Sequence, residues 1–198
     1  MIGSTLISGL ILAGGAARRL GGIDKPLLRL GQSTILARII SILDLEHIAI
    51  SANGDKSRFA SYGLPVFDDG PFSGQGPLAG ILAGLDWAYA TGASALLSVP
   101  GDTPFLPHGL AASLAPPPAC AASGGRFHHL VALWPVSARI ALREHLSRPG
   151  PRHVARFAAM IGMRQVDFPP SACDSFLNVN TPSDLEIARS RVCDLGTG

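Results

Sequence analysis

The sequence lacks any apolar run close to the ~18 residues that are needed to cross a bilayer. Hydrophobic residues make up 47% of its 198 residues, but glycine, proline or charge keeps each run short. A secretory signal has positive charge before its apolar part, and no positive charge precedes the apolar N-terminal segment here. We therefore predict a soluble protein that does not associate with membranes, and we interpret the N-terminal segment as a core strand.

Cysteine is also scarce. The sequence contains Cys120, Cys173 and Cys193, an odd number without the spacing of a metal site. This pattern argues against a disulfide framework and against a zinc site, and it suits a reducing compartment. We expect a cytoplasmic protein.

Neither sign of charge dominates. The sequence has 16 Lys and Arg against 14 Asp and Glu, a net charge of +2, and it has no aromatic stacking motif of the kind that binds single-stranded RNA. A basic RNA-binding module is therefore disfavoured, and any attraction for anions must be local. The length suits one α/β domain, so we predict a single domain over residues 1–198.

A local concentration of cations follows the first apolar run. Residues 6–12 lead into Gly14 and Gly15, and Arg18, Arg19 and Lys25 come next. Adjacent glycines let backbone N–H groups approach a phosphate, and the cations supply charge that the amides lack. The spacing fits neither a Walker loop nor the dinucleotide-binding pattern. We predict a strand followed by an anion-binding loop, with an ordinary turn and a solvated basic tip as the alternative.

Strands alternate with helices in the first half. We predict short strands at 48–52, 65–67 and 95–99, one helix capped by Ser33 and another over 77–91 whose buried face includes Tyr89. This alternation indicates βαβ units and a mainly parallel sheet. In such sheets ligands bind beyond the carboxyl ends of the strands. Four residues should therefore meet in one crevice because they follow predicted strands: Gly14, Asn53, Asp69 and Asp102.

The second half is less regular. Gly124 and Gly125 predict a hairpin turn before a strand at 130–134, and residues 137–146 predict a helix. We predict a last strand at 176–180 and then a helix capped by Thr181. His128 and His129 should point to opposite faces of their strand, so one metal ion could not easily bind both. We interpret them as histidines at the surface or at the edge of the substrate.

Asp102 is the strongest metal candidate from its position alone. A carboxylate in a cleft suits Mg²⁺, which takes one or two protein carboxylates and completes its shell with water and substrate phosphates. A loop aspartate that caps nearby backbone is the alternative. For Asp69 a turn residue is the alternative, and Asp68 beside it is a rival for the same site.

Several segments together resemble the nucleotidyltransferases, and more closely the molybdenum cofactor guanylyltransferase family. The first segment runs from Leu12-Ala13-Gly14-Gly15 through Arg18-Arg19 and Gly21-Gly22 to Asp24-Lys25. The others are Gly76-Pro77-Leu78-Ala79-Gly80, Asp102-Thr103-Pro104-Phe105 and Asn178-Val179-Asn180-Thr181-Pro182. The resemblance covers nearly the whole chain, and it implies one nucleotidyltransferase domain with a three-layer, Rossmann-like α/β fold and a mainly parallel sheet.

The resemblance also implies a role for each segment. Lys25, Arg19 and Asp102 would be catalytic, with Arg18 sharing the triphosphate and Asp102 binding Mg²⁺. Asn178 and Asn180 would lie near the acceptor. The nucleotide would be held by Leu12, Ala13, Gly14, Gly15, Lys25, Asn53, Asp69 and Asp102.

The implied reaction is transfer of GMP from GTP to the terminal phosphate of Mo-molybdopterin, with release of pyrophosphate. A cytidylyltransferase, or an enzyme that activates another small phosphate, is the alternative within the class. A GTP-binding regulator without catalysis is the alternative outside it. We expect a monomer that binds no nucleic acid, and further partners that insert molybdenum or deliver the cofactor to molybdoenzymes.

Overall fold

The computed structural model describes residues 6–14, 24–169 and 174–195. The predictions for Gly15, Arg18, Arg19 and Cys173 lie outside these residues. The strands are β1 (Ile7–Leu12), β2 (Arg29–Leu30), β3 (Ser33–Thr34), β4 (His47–Ser51), β5 (Val66–Phe67), β6 (Ala95–Pro100), β7 (Ala119–Ser123), β8 (Arg126–Pro135) and β9 (Arg164–Asp167). The α-helices are α1 (Ile35–Leu43), α2 (Pro77–Ala90), α3 (Leu110–Leu114), α4 (Ala138–Ser147), α5 (Val154–Met160) and α6 (Pro182–Leu195).

A seven-stranded sheet with the order β5-β4-β1-β6-β8-β7-β9 crosses the centre of the fold. β5, β4, β1 and β6 are parallel, β8 runs against both β6 and β7, and β9 is again parallel to β7. The predicted three-layer α/β fold with a mainly parallel sheet is therefore confirmed. No helix in the three described ranges is both long enough and apolar enough to span a bilayer.

The sheet separates two hydrophobic cores. Adjacent residues of a strand point to opposite faces, so Leu10 packs into one core and Ile11 into the other. Buried residues of α1, α3 and α6 belong to the core around Ile11, and those of α2, α4 and α5 to the core around Leu10. Because both faces are covered, the central strands are apolar along almost their whole length, as parallel strands commonly are.

Helix α2 packs unusually close to the sheet. A Cβ atom at Gly84 would lie 2.6 Å from Leu10 Cδ2, and one at Gly80 would lie 2.3 Å from Ser51 Oγ. A side chain at either position would have to displace the Leu10 or Ser51 side chain or move the helix itself. The two glycines therefore bring the first turns of α2 against the carboxyl end of β4.

Three local predictions are wrong. Ser33 lies in β3, and Thr34 caps α1 instead, its Oγ1 accepting a hydrogen bond of 3.1 Å from the Ala37 amide. Tyr89 is 59% exposed beneath the guanidinium of Arg139, and Ala88 takes the buried position on α2. Residues 176–180 form no strand, because the backbone of this segment turns to contact the end of β6 rather than pairing along it.

Candidate active site

A cavity of about 520 Å³ opens where the parallel strands end. Leu12, Ser51 and Pro100 are the last residues of β1, β4 and β6, and all three line it. The start of α2 and the segment before α6 complete its wall. The remaining lining residues are Gly14, Asn53, Asp69, Gly74, Gly76, Pro77, Gly80, Asp102, Leu130, Asn178 and Asn180.

The Lys25 side chain contacts residues from two distant parts of the sequence. Its Nζ donates a hydrogen bond of 2.6 Å to Asn180 Oδ1 and lies 3.7 Å from Asp102 Oδ2. Lys25 and Ala13 line a smaller cavity of about 70 Å³, and Leu12 and Asp102 line both this cavity and the large one. The ammonium group is therefore held at the boundary between the two cavities.

The end of β6 approaches the end of β1 too closely for a side chain to lie between them. The Gly101 amide donates to the Leu12 carbonyl at 2.9 Å, and a Cβ atom at Gly101 would lie 3.1 Å from the same oxygen. Asp102 follows directly, with a side chain that is 23% exposed. Burial raises the pKa of the Asp102 carboxyl above its ordinary value, and the positive charge of Lys25 offsets only part of this effect.

Asn178 and Asn180 are fixed by contacts on both sides. Thr103 Oγ1 donates to Asn178 Oδ1 at 2.7 Å, and the amide of the intervening Val179 donates to the Asp102 carbonyl at 2.8 Å. Asp184, in the first turn of α6, accepts from the Asn180 amide at 3.0 Å. These bonds hold the segment before α6 in place without a strand, and both asparagines line the large cavity.

Asn53 and Asp69 form a reciprocal pair at the ends of β4 and β5. Asn53 Nδ2 donates to Asp69 Oδ2 at 2.6 Å, and the Asp69 amide donates to Asn53 Oδ1 at 3.1 Å. Asp68 instead pairs with Lys56 at 2.7 Å on the surface and does not line the cavity. Of the two rival aspartates, the geometry brings Asp69 to the candidate site.

A second cavity of about 290 Å³ continues from the first. The two cavities share Pro100, Leu130 and Asn178, and the second is also lined by His128 and Phe176. The His128 ring stacks on that of Phe176, with centroids 4.4 Å apart. Burial lowers the pKa of the His128 imidazole and thus favours its neutral form.

His128 and His129 have different neighbours. A ring nitrogen of His128 lies 2.8 Å from Ser123 Oγ, whereas the His129 ring lies against Phe127, with centroids 6.0 Å apart. No group of three or more His, Cys, Asp or Glu residues within the described ranges could hold a metal ion. A metal in the large cavity would therefore depend on few protein ligands.

The sequence did not identify every residue of the cavity. Ser51 and Pro100 could have been found, because each ends a strand of the parallel set. Gly74 and Leu130 could not, because a loop and the antiparallel strand β8 bring them to the cavity only through the tertiary fold.

The parallel sheet, the close glycine turns at its edge and the lysine and carboxylate in the cavity together define a nucleotidyltransferase of the Rossmann-like class. Residues 9–164 match the family model of the MobA-like NTP transferase domain, and the chain belongs to this family.

Known proteins resemble the chain along nearly its whole length. The molybdenum cofactor guanylyltransferase of Acidiphilium cryptum (strain JF-5) is 54% identical over 185 residues, which cover 92% of this chain and 94% of that protein. The enzyme of the same name from Rhodopseudomonas palustris (strain HaA2) is 46% identical, with coverages of 89% and 87%. The crystal structure of molybdopterin-guanine dinucleotide biosynthesis protein A from Archaeoglobus fulgidus shares the fold, with a TM-score of 0.74, 20% identity and coverages of 94% and 99%.

The raised pKa of Asp102 predicts a pH-dependent difference in stability between the metal-free protein and its Asp102→Asn variant. The folded protein binds the Asp102 proton more tightly than the unfolded chain does, so the ionised carboxylate opposes folding. Relative to the variant, the wild type should lose stability as the pH rises from about 4, the ordinary pKa of aspartate, through the raised folded pKa. Above that pKa the difference should be constant.

Urea unfolding in the presence of EDTA at several pH values measures this difference. Asp68→Asn is the control, because hydrogen bonding to Lys56 lowers the pKa of Asp68, and its pH dependence should have the opposite sign. A difference for Asp102→Asn that does not change between pH 4 and 8, or that favours the wild type more as the pH rises, would contradict the assignment.

Proposed function

We propose that the protein transfers GMP from GTP to the terminal phosphate of Mo-molybdopterin, forming the guanine dinucleotide cofactor and pyrophosphate. The observation that carries the proposal is the pair of continuous cavities, which meet beside Asn178 with Lys25 and Asp102 at the edge of the larger one. A transfer between two substrates requires two adjoining binding regions, and Lys25 beside Asp102 supplies positive charge at the edge of the larger one. Relatives at 44–54% identity are named molybdenum cofactor guanylyltransferase, which supports GTP and molybdopterin as the two substrates.

GTP would occupy the larger cavity. Leu12 and Gly14 line this cavity just where β1 ends, and Ala13 between them lines the adjoining smaller one. A Cβ atom at Gly14 would meet nothing closer than 3.9 Å, so the backbone there is open to a nucleotide. Asn53 and Asp69 present an amide and a carboxylate to the same cavity, which suits hydrogen bonding to the nucleoside. Gly15 and Arg19, which lie outside the described residues, remain part of the proposed site because they follow Gly14 in the segment whose sequence predicts an anion-binding loop.

The donor set suits a hard divalent cation. Nucleotidyltransferases generally use a divalent metal, and Mg²⁺ is the ion that we propose. Asp102 would hold it, because its carboxylate is largely buried, has a raised pKa and is only partly balanced by Lys25, so a further positive charge is favourable there. With few protein ligands, Mg²⁺ would keep several waters and take phosphate oxygens. When bound, it would neutralise charge on the phosphates.

The protein's own residues position the reactants. The acceptor phosphate oxygen forms a bond to the α-phosphorus of GTP while the bond to the pyrophosphate oxygen breaks. Both the nucleophile and the leaving group are anionic, so Lys25 would reduce their repulsion and stabilise the pyrophosphate. Holding two substrates in line can supply about 7–11 kcal/mol, and no covalent intermediate with the protein is needed.

The acceptor would occupy the second cavity. Asn178 lies in both cavities and Asn180 in the larger one, which supports a role for both side chains near the acceptor phosphate. The stacked rings of His128 and Phe176 give the second cavity a flat aromatic side, which suits a planar heterocycle. In this assignment neither His128 nor His129 binds a metal ion.

Pyrophosphate release from Mg²⁺, Mo-molybdopterin and each of GTP, CTP, ATP and UTP tests the proposal. We expect release with GTP at least about 10-fold faster than with the other three, because hydrogen bonds in a built site discriminate bases strongly. Preference for CTP would move the protein to the cytidylyl alternative. Tight binding of GTP without release would favour a regulator without catalysis.

Asp69→Ala and Asp68→Ala form a matched pair of variants. Asp69→Ala removes the partner of Asn53 in the cavity, and we expect kcat/KM for GTP to fall about 10- to 100-fold, the effect of losing a charged hydrogen bond. Asp68→Ala breaks an exposed ion pair with Lys56 and should change kcat/KM less than about two-fold. Steady-state kinetics of the two folded variants shows which of the two neighbouring aspartates contributes to GTP binding and turnover. Equal losses would contradict the assignment of Asp69.

A further inference from the structure

Arg58 is a half-buried cation that contacts the segments following two neighbouring strands. Its Nε lies 3.0 Å from Asp24 Oδ2, in the loop that follows β1. Its Nη2 donates a hydrogen bond of 3.0 Å to the Asn53 carbonyl, in the loop that follows β4. The third nitrogen, Nη1, donates to the Asp55 carbonyl. One guanidinium thus joins parts of the chain that are adjacent only in the folded protein.

The guanidinium is itself held in place. Its carbon lies 4.7 Å from the centroid of the Phe59 ring, and Phe59 is fully buried. Asp55, at the start of the 3-10 segment Lys56–Tyr62, caps that segment through the Ser57 amide. The planar fork of arginine can reach several acceptors at once, whereas a lysine presents a single point of charge. The arrangement therefore requires the geometry of arginine and not only its charge.

Each loop that Arg58 contacts carries a residue of the proposed nucleotide site. Asp24 precedes Lys25, and the Asp24 carbonyl accepts from the Leu27 amide at 2.9 Å in the turn that presents Lys25. Asn53 holds Asp69 through the reciprocal pair. Arg58 lines neither cavity in which these groups meet, so it can act on the substrate only through them.

We propose that Arg58 is a positioning residue, which fixes Lys25 and the Asn53–Asp69 pair relative to each other so that triphosphate and nucleoside are bound in one orientation. This inference rests on the proposed function of the site, but its first consequence is independent of any substrate. Without Arg58, the hydrogen bonds of the turn after Asp24 and those of the Asn53–Asp69 pair should open independently of each other and more often.

Hydrogen exchange of the substrate-free protein tests this consequence. Arg58→Met keeps an unbranched side chain over Phe59 and removes all three polar contacts. We expect about 10-fold faster exchange of the Leu27, Leu28 and Asp69 amides, which are hydrogen-bonded in the two loops, with little change in the core strands. Arg143→Met is the control, because Arg143 pairs with Asp86 on the exposed side of α2. Unchanged exchange at all three amides would overturn the proposal.

GTP binding measured by calorimetry supplies the second test. We expect Arg58→Met to weaken binding about 10-fold and Arg58→Lys to weaken it nearly as much, because lysine cannot reach both loops. Asp24→Asn removes the same ion pair from the other side, and it replaces Arg58→Met in the test if that variant does not fold. In the double variant, Asp24→Asn should add little to the loss of GTP affinity that Arg58→Met causes. Full affinity in Arg58→Lys, or additive losses in the double variant, would contradict the bridging role.

The two tests separate the inference from the function on which it rests. If the wild type binds no GTP while the three amides respond to Arg58→Met, the proposed function fails and the joining of the two loops stands. If the wild type binds GTP and Arg58→Met changes neither exchange nor affinity, the function stands and the role of Arg58 is refuted.

Discussion

The parallel arrangement of β5, β4, β1 and β6 is the constraint on which the site depends. Parallel strands end at the same edge of a sheet, so loops that are far apart in the sequence meet there. The close packing of α2 on β1 and β4 keeps that edge compact, since Gly80 and Gly84 leave no room for side chains. The cavity is therefore a consequence of the topology, and the polar side chains around it give that cavity its chemistry.

The polar groups of the site are held at a cost in stability. Asp102 is buried enough for its pKa to rise, and Lys25 compensates for this only in part. Such a carboxylate is poorly explained as a structural ion pair, because burial opposes the charge more than the partner supports it. A bound cation would relieve the imbalance. The side chains of Asn178 and Asn180 line the cavity and are each held by a hydrogen bond, from Thr103 and from Lys25 respectively. These bonds fix the orientation of the two amide groups.

Strand ends were the part of the site that the sequence predicted well. Asn53, Asp69 and Asp102 meet at one cavity because each follows the end of a strand of the parallel set, and a strand end is a local feature of the sequence. The predicted strand at 176–180 was wrong because Phe176 and Val179 are buried, as strand residues are, yet the segment is held by bonds to Asp102, which follows β6, and to Asp184 in α6. Arg58 could not be found for a related reason. Its sequence neighbours indicate only a polar loop, and Asp24, the acceptor that is distant in the sequence, meets Arg58 only in the folded chain.

The position of the bond that breaks in GTP is the most direct test of the account. GTP labelled with ³²P at the α or the γ position would be incubated with the protein, Mg²⁺ and Mo-molybdopterin, and the products separated. Attack at the α-phosphorus predicts that the α label enters the cofactor product and the γ label appears only in pyrophosphate. Transfer of the γ label to the acceptor, or its release as inorganic phosphate with the α label left in GDP, would contradict guanylyl transfer and with it the proposed use of Lys25 and Asp102.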